Sequence, residues 1–180
     1  MQEVKVLLRF TVPCLGADKR PREGLGVVFC FPRTPDGQVL FHQTWWRAIV
    51  THAARIKNIP TPIIKKIEWS PAVDGSPRLW QRYVQDPNRP ESVRPRYAQH
   101  EAFLPGRVIG VECILPVDLP VVTFAALMEV AGKFRGISPY KPGEYGRFTV
   151  VSVHPAGKAI PESDVLQSSE SAGGPSDGLA

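Results

Sequence analysis

A glycine-rich, positively charged segment at residues 133–153 is the part of this sequence whose residue types most directly suggest chemistry. Three glycines lie in it, together with Lys133, Arg135, Lys141 and Arg147. Because glycine carries no side chain, the backbone N–H groups of such a segment can approach an anion, and the cations add attraction. The phosphate backbone of a nucleic acid is the natural ligand for this surface. The alternative is that the chain needs the glycines only to turn between a helix and a strand.

The four histidines are the candidate general acids and bases, because histidine titrates closest to neutral pH. His42 directly precedes a predicted helix and lies near its positive end, which favours a neutral ring that accepts a proton. His52 lies at the edge of the apolar stripe of that helix, where packing is the simpler explanation. His100 and Glu101 form a local acid–base pair in a predicted surface loop, and His154 follows the last predicted strand. None has a second carboxylate at catalytic spacing, so we predict no catalytic residue.

The sequence lacks the patterns of metal, nucleotide-cofactor and thiol chemistry. It contains no His-x-Glu, Cys-x-x-Cys or Gly-x-x-x-x-Gly-Lys motif. The glycine-rich segment precedes a strand, whereas the loops of dinucleotide and P-loop sites precede a helix. Cys14, Cys30 and Cys113 are odd in number and scattered, so they predict reduced structural thiols rather than disulfides or a zinc site. We expect no cofactor and no metal.

The charge of the chain is unevenly distributed. The net charge is +5, but residues 155–180 hold one lysine and four acidic residues, so residues 1–154 carry +8. A domain this basic predicts an acidic partner, most commonly a nucleic acid. Residues 155–180 are rich in Ser, Gly and acids, which predicts a disordered tail. No apolar run is long enough to span a membrane and no signal-peptide layout is present, so we expect a cytoplasmic protein without a membrane partner.

Hydrophobic periodicity predicts the elements that must position these residues. It indicates strands at residues 4–12, 63–69, 107–116 and 144–153, and helices at residues 45–56 and 124–134. A mobile basic loop is predicted at residues 13–24, and a hairpin around the Asp36-Gly37 turn. The order strand, helix, strand, strand, helix, strand is the ferredoxin-like arrangement. We therefore predict an α+β domain over residues 1–154, with an antiparallel sheet, two helices on one face and β-hairpin insertions.

One face of the sheet stays open in that arrangement, and RNA-recognition modules of this topology carry aromatic rings and cations there. Lys5 and Arg9 lie on the polar face of the first strand, and the last strand offers either Tyr145 with Arg147 or Gly146 with Phe148. Cations of the basic loop, the first helix and the glycine-rich segment complete the set. We predict that nucleic acid contacts Lys5, Arg9, Lys19, Arg20, Arg22, Arg47, Arg135, Lys141, Tyr145 and Arg147.

Residues 7–16, 39–50 and 143–150 share a layout with a known family. A first strand ends in a polar loop, a short motif opens the first helix with a basic residue on it, and a glycine-rich loop precedes the last strand. In these features the chain resembles the repeat-associated mysterious protein (RAMP) superfamily of CRISPR systems. The resemblance implies a ferredoxin-like domain that binds CRISPR RNA, which some members of the superfamily also cleave.

Three functions remain open from the sequence. The leading hypothesis is a protein that binds RNA or single-stranded nucleic acid without catalysis, alongside other subunits of a ribonucleoprotein complex. A metal-independent ribonuclease with His42 or His52 as general base is the first alternative. The second is an assembly or interaction protein of phage or bacterial origin, whose basic loops contact a protein partner.

Overall fold

The computed structural model describes residues 1–84, 96–140 and 144–156. Lys141, which is a predicted nucleic-acid contact, lies outside the described residues. So do residues 157–180 of the predicted disordered tail. The fold is α+β, and most of its elements are strands. The described elements are β1 (Gln2–Phe10), β2 (Cys14–Leu15), β3 (Asp18–Arg22), β4 (Gly26–Cys30), β5 (Val39–Leu40), α1 (Gln43–Ile56), α2 (Thr61–Lys65), β6 (Glu68–Asp74), β7 (Arg78–Val84), β8 (Arg96–Phe103), β9 (Val108–Leu115), α3 (Val121–Phe134) and β10 (Phe148–Pro155).

The first sheet has the strand order β10-β1-β9-β6-β5, and each of its pairings is antiparallel. β1 lies between β10 and β9, where Val6 pairs with Val153 on one side and with Val111 on the other. The apolar alternation of β1 places Val4, Val6, Leu8 and Phe10 in the core. The strand that follows the glycine-rich segment therefore runs beside the first strand.

The two long helices contribute to the same core as β1. In α1, the buried residues Trp46, Ile49, Val50 and Ala53 recur at helical spacing. Trp46 stacks on Trp69 of β6, with ring centroids 4.9 Å apart. α3 buries Phe124, Leu127, Met128, Ala131 and Gly132. The opposite side of α1 is left for polar residues at the surface.

The second sheet is built around β8. This strand pairs with β7 on one side and with β2 and β4 on the other, and β3 pairs with β4. The β4–β8 pairing is parallel, whereas the others in this sheet are antiparallel. Its register places Lys19, Phe29, His100 and Trp80 in one row across four strands. The row therefore runs from a lysine on the edge strand β3 to aromatic rings on β4, β8 and β7.

The predicted mobile loop at residues 13–24 is wrong, because β2 and β3 occupy most of it. All five residues of β3 are exposed, so the strand has no apolar alternation that the sequence could display. It is ordered instead by pairing with β4. The basic residues of β3 are therefore held on a sheet edge.

Two other expectations hold only in part. Residues 63–65 of the predicted strand 63–69 belong to α2, where Pro62 in the first turn favours the helix, and β6 begins at Glu68. The hairpin predicted around Asp36-Gly37 is reduced to a short turn, in which Arg33 bridges Val39 and the Leu40 N–H donates to the Pro32 carbonyl at 2.9 Å. Its longer arms do not pair, because β4 belongs to the second sheet and β5 to the first. Among the helices of the described ranges, none has the length and apolarity needed to cross a membrane.

Candidate nucleic-acid interface

A groove on the surface of α1 brings arginines from two helices together. It has a volume of about 410 Å³ and is lined by Thr44, Arg47, Ala48, Thr51, His52, Arg55 and Arg135. Six of these residues belong to α1, and Arg135 directly follows α3. We name this surface the arginine groove. None of its lining residues is acidic.

Helical spacing positions the α1 side of the groove. Arg47, Thr51 and Arg55 are four residues apart, so they lie on one face of the helix, away from the buried Trp46. Arg135 caps the C-terminal end of α3, where a cation interacts favourably with the helix dipole. The two predicted contacts Arg47 and Arg135 are thus brought into one surface by the packing of α1 beside α3.

The charges of the arginine groove are not neutralised by neighbouring acids. Within the described residues, Arg47, Arg55 and Arg135 take part in none of the ion pairs. The sequence has no acidic residue between Asp36 and Glu68, a span that contains five lysines and arginines. Three guanidinium groups in one groove repel one another in the absence of a counter-ion. A phosphate group is a ligand that relieves this repulsion.

The two histidines of the catalytic alternative lie in different places. His52 is half-buried and lines the arginine groove. His42 is exposed at the N-cap of α1, and its ring lies edge-on to Trp45 at 4.9 Å. Of the two, His52 is therefore the one placed beside the arginines.

The glycine-rich segment folds back on itself. Gly136 and Gly146 have positive φ angles of 69° and 76°, and a Cβ at either position would collide with backbone atoms of the opposite arm. The Gly146 N–H donates to the Pro13 carbonyl at 2.8 Å, and the Ile137 N–H donates to the Gly146 carbonyl at 2.8 Å. The Gly136 N–H donates to Ala131. The prediction that Gly136 and Gly146 offer free N–H groups to an anion is wrong, because both N–H groups donate to backbone carbonyls within the fold.

An aromatic cluster joins this segment to the second sheet. We name it the aromatic platform, consisting of Phe29, His100, Tyr140 and Tyr145. Phe29 stacks on His100 with centroids 4.7 Å apart, and Tyr140 meets His100 edge-on at 4.9 Å. Tyr145 lies 5.8 Å from Tyr140. The predicted contact Tyr145 thus belongs to a group of rings rather than to the open face of the first sheet.

Two cations lie over the rings of the aromatic platform. The Lys19 ammonium is 5.9 Å from the centroid of Phe29, and the Arg82 guanidinium is 4.9 Å from that of Tyr140. Arg82 also donates a hydrogen bond to the Tyr140 hydroxyl. The platform therefore combines ring faces with positive charge, as single-stranded nucleic-acid sites do.

His100 is a buried member of the platform, not the surface-loop residue that the sequence predicted. It lies in β8, and its Nδ1 is 2.9 Å from the Gly16 carbonyl. Burial lowers the pKa of His100, and the charge of Arg82 acts in the same direction, against the hydrogen bond to Gly16. A neutral ring that donates from Nδ1 leaves Nε2 as an acceptor, and Nε2 is buried without a hydrogen-bond partner among the residues that the structure describes.

Glu101 is likewise buried, so the prediction that His100 and Glu101 form a pair in a surface loop is wrong. Its carboxylate accepts hydrogen bonds from Arg22 at 2.8 Å and from the Phe31 N–H at 3.0 Å, and it pairs with Arg33 at 2.9 Å. A buried carboxylate needs such partners because desolvation of the charge is costly. Arg22, a predicted nucleic-acid contact, is therefore part of an internal ion-pair cluster, although its side chain remains 44% exposed.

The open face of the first sheet differs from the basic surface that the sequence predicts. Lys5 forms ion pairs with Asp74 and Glu112, so its positive charge is neutralised by acidic residues of the same sheet. Arg9 is half-buried, and its Nε is buried without a hydrogen-bond partner in the described part of the chain. A cavity of about 440 Å³ near this face is lined by Glu3, Glu68 and Glu112, among others. This end of the sheet is acidic.

The remaining predicted contacts lie on loops and edges. Arg20 is exposed in β3 next to Lys19, and Arg147 is exposed directly before β10. The Arg147 backbone carbonyl accepts a hydrogen bond from the Thr11 N–H at 2.8 Å. The predicted residues thus separate into the arginine groove, the surroundings of the aromatic platform and positions engaged inside the protein.

Sequence reasoning did not select Arg55, Arg82 or Tyr140 as contacts. Arg55 could have been found from its spacing, because it lies eight residues after Arg47 on an α1 face without acidic residues. Arg82 and Tyr140 are 58 residues apart in sequence and meet only because of the second sheet. No local pattern could have joined them.

No protein-family model matches this chain, and no curated protein matches it. Among solved structures, a product complex of Cas6 (TTHB231) is similar to it with a TM-score of 0.25 and 11% sequence identity. The similarity covers 81% of this chain and 50% of that chain, so the match spans about half the length of that protein. A likeness this weak carries no functional argument, and the function must be inferred from the residues themselves.

Proposed function

We propose that this chain binds RNA or single-stranded nucleic acid without catalysis, and that the arginine groove holds the phosphate backbone. The observation that carries the proposal is the convergence of Arg47, Arg55 and Arg135 in one groove without an acidic neighbour. Arginine suits this role because its planar guanidinium group can donate two parallel hydrogen bonds to a phosphate. The net charge of +8 over residues 1–154 adds long-range attraction for a polyanion.

The strand order supports a ferredoxin-like domain of the RAMP type. The elements β1, α1, β6, β9, α3 and β10 follow the order strand, helix, strand, strand, helix, strand, and the sheet order β10-β1-β9-β6 puts the last strand beside the first. In this proposal, residues 1–154 form the binding domain and the second sheet is an insertion in it. The ligand would be the RNA of a CRISPR system, bound together with other protein subunits.

Binding of a fluorescent 20-nucleotide RNA, followed by anisotropy at low salt, tests the role of the groove. The variant R47Q/R55Q/R135Q should bind at least ten-fold more weakly than the wild type, because each lost phosphate contact removes a favourable electrostatic interaction. The variant K57Q/K65Q/R107Q removes the same charge from exposed positions outside the groove and serves as the matched control. Equal losses in both variants would show that net charge, not the groove, determines affinity.

A ribonuclease is the second candidate, and it is favoured by the position of His52 in the arginine groove. A neutral histidine beside bound phosphates could accept the proton of a ribose hydroxyl. Structured RNA should then be cleaved in the presence of a chelator by the wild type and by H42A, but not by H52A. RNA that stays intact at stoichiometric protein excludes this candidate.

A further inference from the structure

The rings of the aromatic platform are not part of the hydrophobic core. Phe29, Tyr140 and Tyr145 are half-buried and do not belong to the buried cluster that joins the first sheet to the helices. Phe29 lies in β4 of the second sheet, whereas Tyr140 and Tyr145 lie in the glycine-rich segment. Packing of the core therefore does not explain why three aromatic rings meet here.

The platform also contains polar atoms that packing alone leaves unsatisfied. Nε2 of His100 and Nε of Arg82 are both buried and lack a hydrogen-bond partner in the described part of the chain. Buried polar groups of purely structural clusters are nearly always paired, so such atoms call for another explanation.

Hydrogen bonds fix the orientation of the rings. His100 is tied to the Gly16 carbonyl at 2.9 Å, and Arg82 donates to the Tyr140 hydroxyl. The Tyr140 N–H donates to the Ser138 hydroxyl at 3.2 Å. A ring held in this way loses little conformational entropy when a ligand stacks on it.

The charge around the platform selects the class of ligand. Lys19 and Arg82 lie over its rings, and Arg20 is exposed next to Lys19. Nucleotides offer a flat ring for stacking and a phosphate for the cations. In a duplex the bases are stacked on one another and their faces are not available to side chains.

We propose that the aromatic platform binds unpaired nucleobases, with Tyr145 as the outer stacking ring and Lys19 near the adjoining phosphate. This inference rests on the proposed function and makes the ligand a single strand rather than a duplex. The arginine groove and the platform share no residue, so each can be changed by its own substitutions.

The test compares Tyr145→Ala with Tyr145→Phe, which keeps the ring. The probes are a 12-nucleotide single-stranded RNA carrying 2-aminopurine and a 12-base-pair RNA duplex, with R47Q/R55Q/R135Q measured in parallel and thermal melts of every variant. Tyr145→Ala should bind the single strand about ten-fold more weakly, because stacking on one base is lost, and Tyr145→Phe should match the wild type. The 2-aminopurine fluorescence should be quenched by the wild type and less by Tyr145→Ala.

Unchanged single-strand affinity in Tyr145→Ala, or an equal loss for single strand and duplex, would overturn the platform. If Tyr145→Ala instead changes only the oligomeric state measured by light scattering, the platform is a protein interface and the inference is wrong. Loss of binding in Tyr145→Ala but not in R47Q/R55Q/R135Q would refute the groove and leave the platform standing. The reverse result would refute the platform alone, and a wild type that binds neither probe would refute both.

Discussion

Replacing Gly146 by alanine is expected to destabilise the protein, because two arms of the glycine-rich segment cross at this residue. Gly146 has a φ of 76°, and an added Cβ would overlap the carbonyl oxygen of Ile137. Gly24 is a matched control, since its φ is 72° but no atom lies within 4 Å of the added Cβ. Comparison of the two separates the crossing from the backbone conformation.

The expected magnitude follows from these two contributions. A left-handed alanine costs about 1–2 kcal/mol, and both substitutions carry that cost. Overlap at Gly146 adds about 1–3 kcal/mol, as for other overpacked sites. For a chain of this size about 1 kcal/mol shifts the melting temperature by roughly 2–4 °C. Gly146→Ala should therefore melt about 10 °C below the wild type, and Gly24→Ala about 4 °C below it.

Thermal melts followed by circular dichroism, and urea titrations of the same variants, measure this difference. If Gly146→Ala melts within about 2 °C of Gly24→Ala, the crossing contributes no packing constraint. The close approach of the Ile137 carbonyl to Gly146 would then not be the reason for a glycine at this position.

Three further predictions concern buried groups. The pKa of His100 is lowered in the folded state, so as the pH falls the unfolded chain takes up this proton before the folded protein does. The free energy of unfolding should therefore decrease as the pH drops from 7 through 6.5 toward the lowered pKa. The decrease should be at most about 1.4 kcal/mol per pH unit. The His100→Gln variant should lose this part of the pH dependence in urea titrations. Glu101→Gln should destabilise the fold by about 3 kcal/mol, since it breaks a buried charge cluster, and an equally stable variant would refute the internal role of Glu101. Burial raises the pKa of all three thiols, that of Cys113 to about 12, so Ellman's reagent at pH 8 should label none of them before unfolding.

Elements with a strong apolar period could be predicted from the sequence. β1, α1, α3, β9 and β10 each bury a face that repeats at strand or helix spacing, and their order along the chain is the predicted one. Their termini shift by a few residues, as at α1, which begins at Gln43 instead of Trp45. The apolar pattern was sufficient to predict these five elements because each of them packs one face against the hydrophobic core.

The second sheet could not be predicted, because its pairings join segments that are far apart in the sequence. β3 is exposed along its whole length, and β4 pairs with β8 across about 70 residues of sequence. His100 and Glu101 looked like surface residues since no apolar alternation surrounds them. Their burial follows from the neighbouring strands and from Arg22 and Arg33, which the sequence does not connect to them.

The candidate site was predicted in part. Arg47 and Arg135 were chosen for their charge, and packing of α1 beside α3 brings Arg135 to the α1 face that holds Arg47, His52 and Arg55. Lys5 was chosen for the same reason, yet Asp74 and Glu112 meet its charge. Charge alone cannot distinguish these cases, because the position of the acids depends on the fold.

The salt dependence of RNA binding tests the central claim most directly. The logarithm of the affinity of a single strand falls with the logarithm of the salt concentration by about 0.7 for each neutralised phosphate. The slope for R47Q/R55Q/R135Q should therefore be about two units shallower than that of the wild type, while the charge-matched K57Q/K65Q/R107Q should keep the wild-type slope within about half a unit. A wild-type affinity that barely changes between 50 and 200 mM salt, or equal slopes in all three proteins, would contradict a phosphate backbone in the arginine groove.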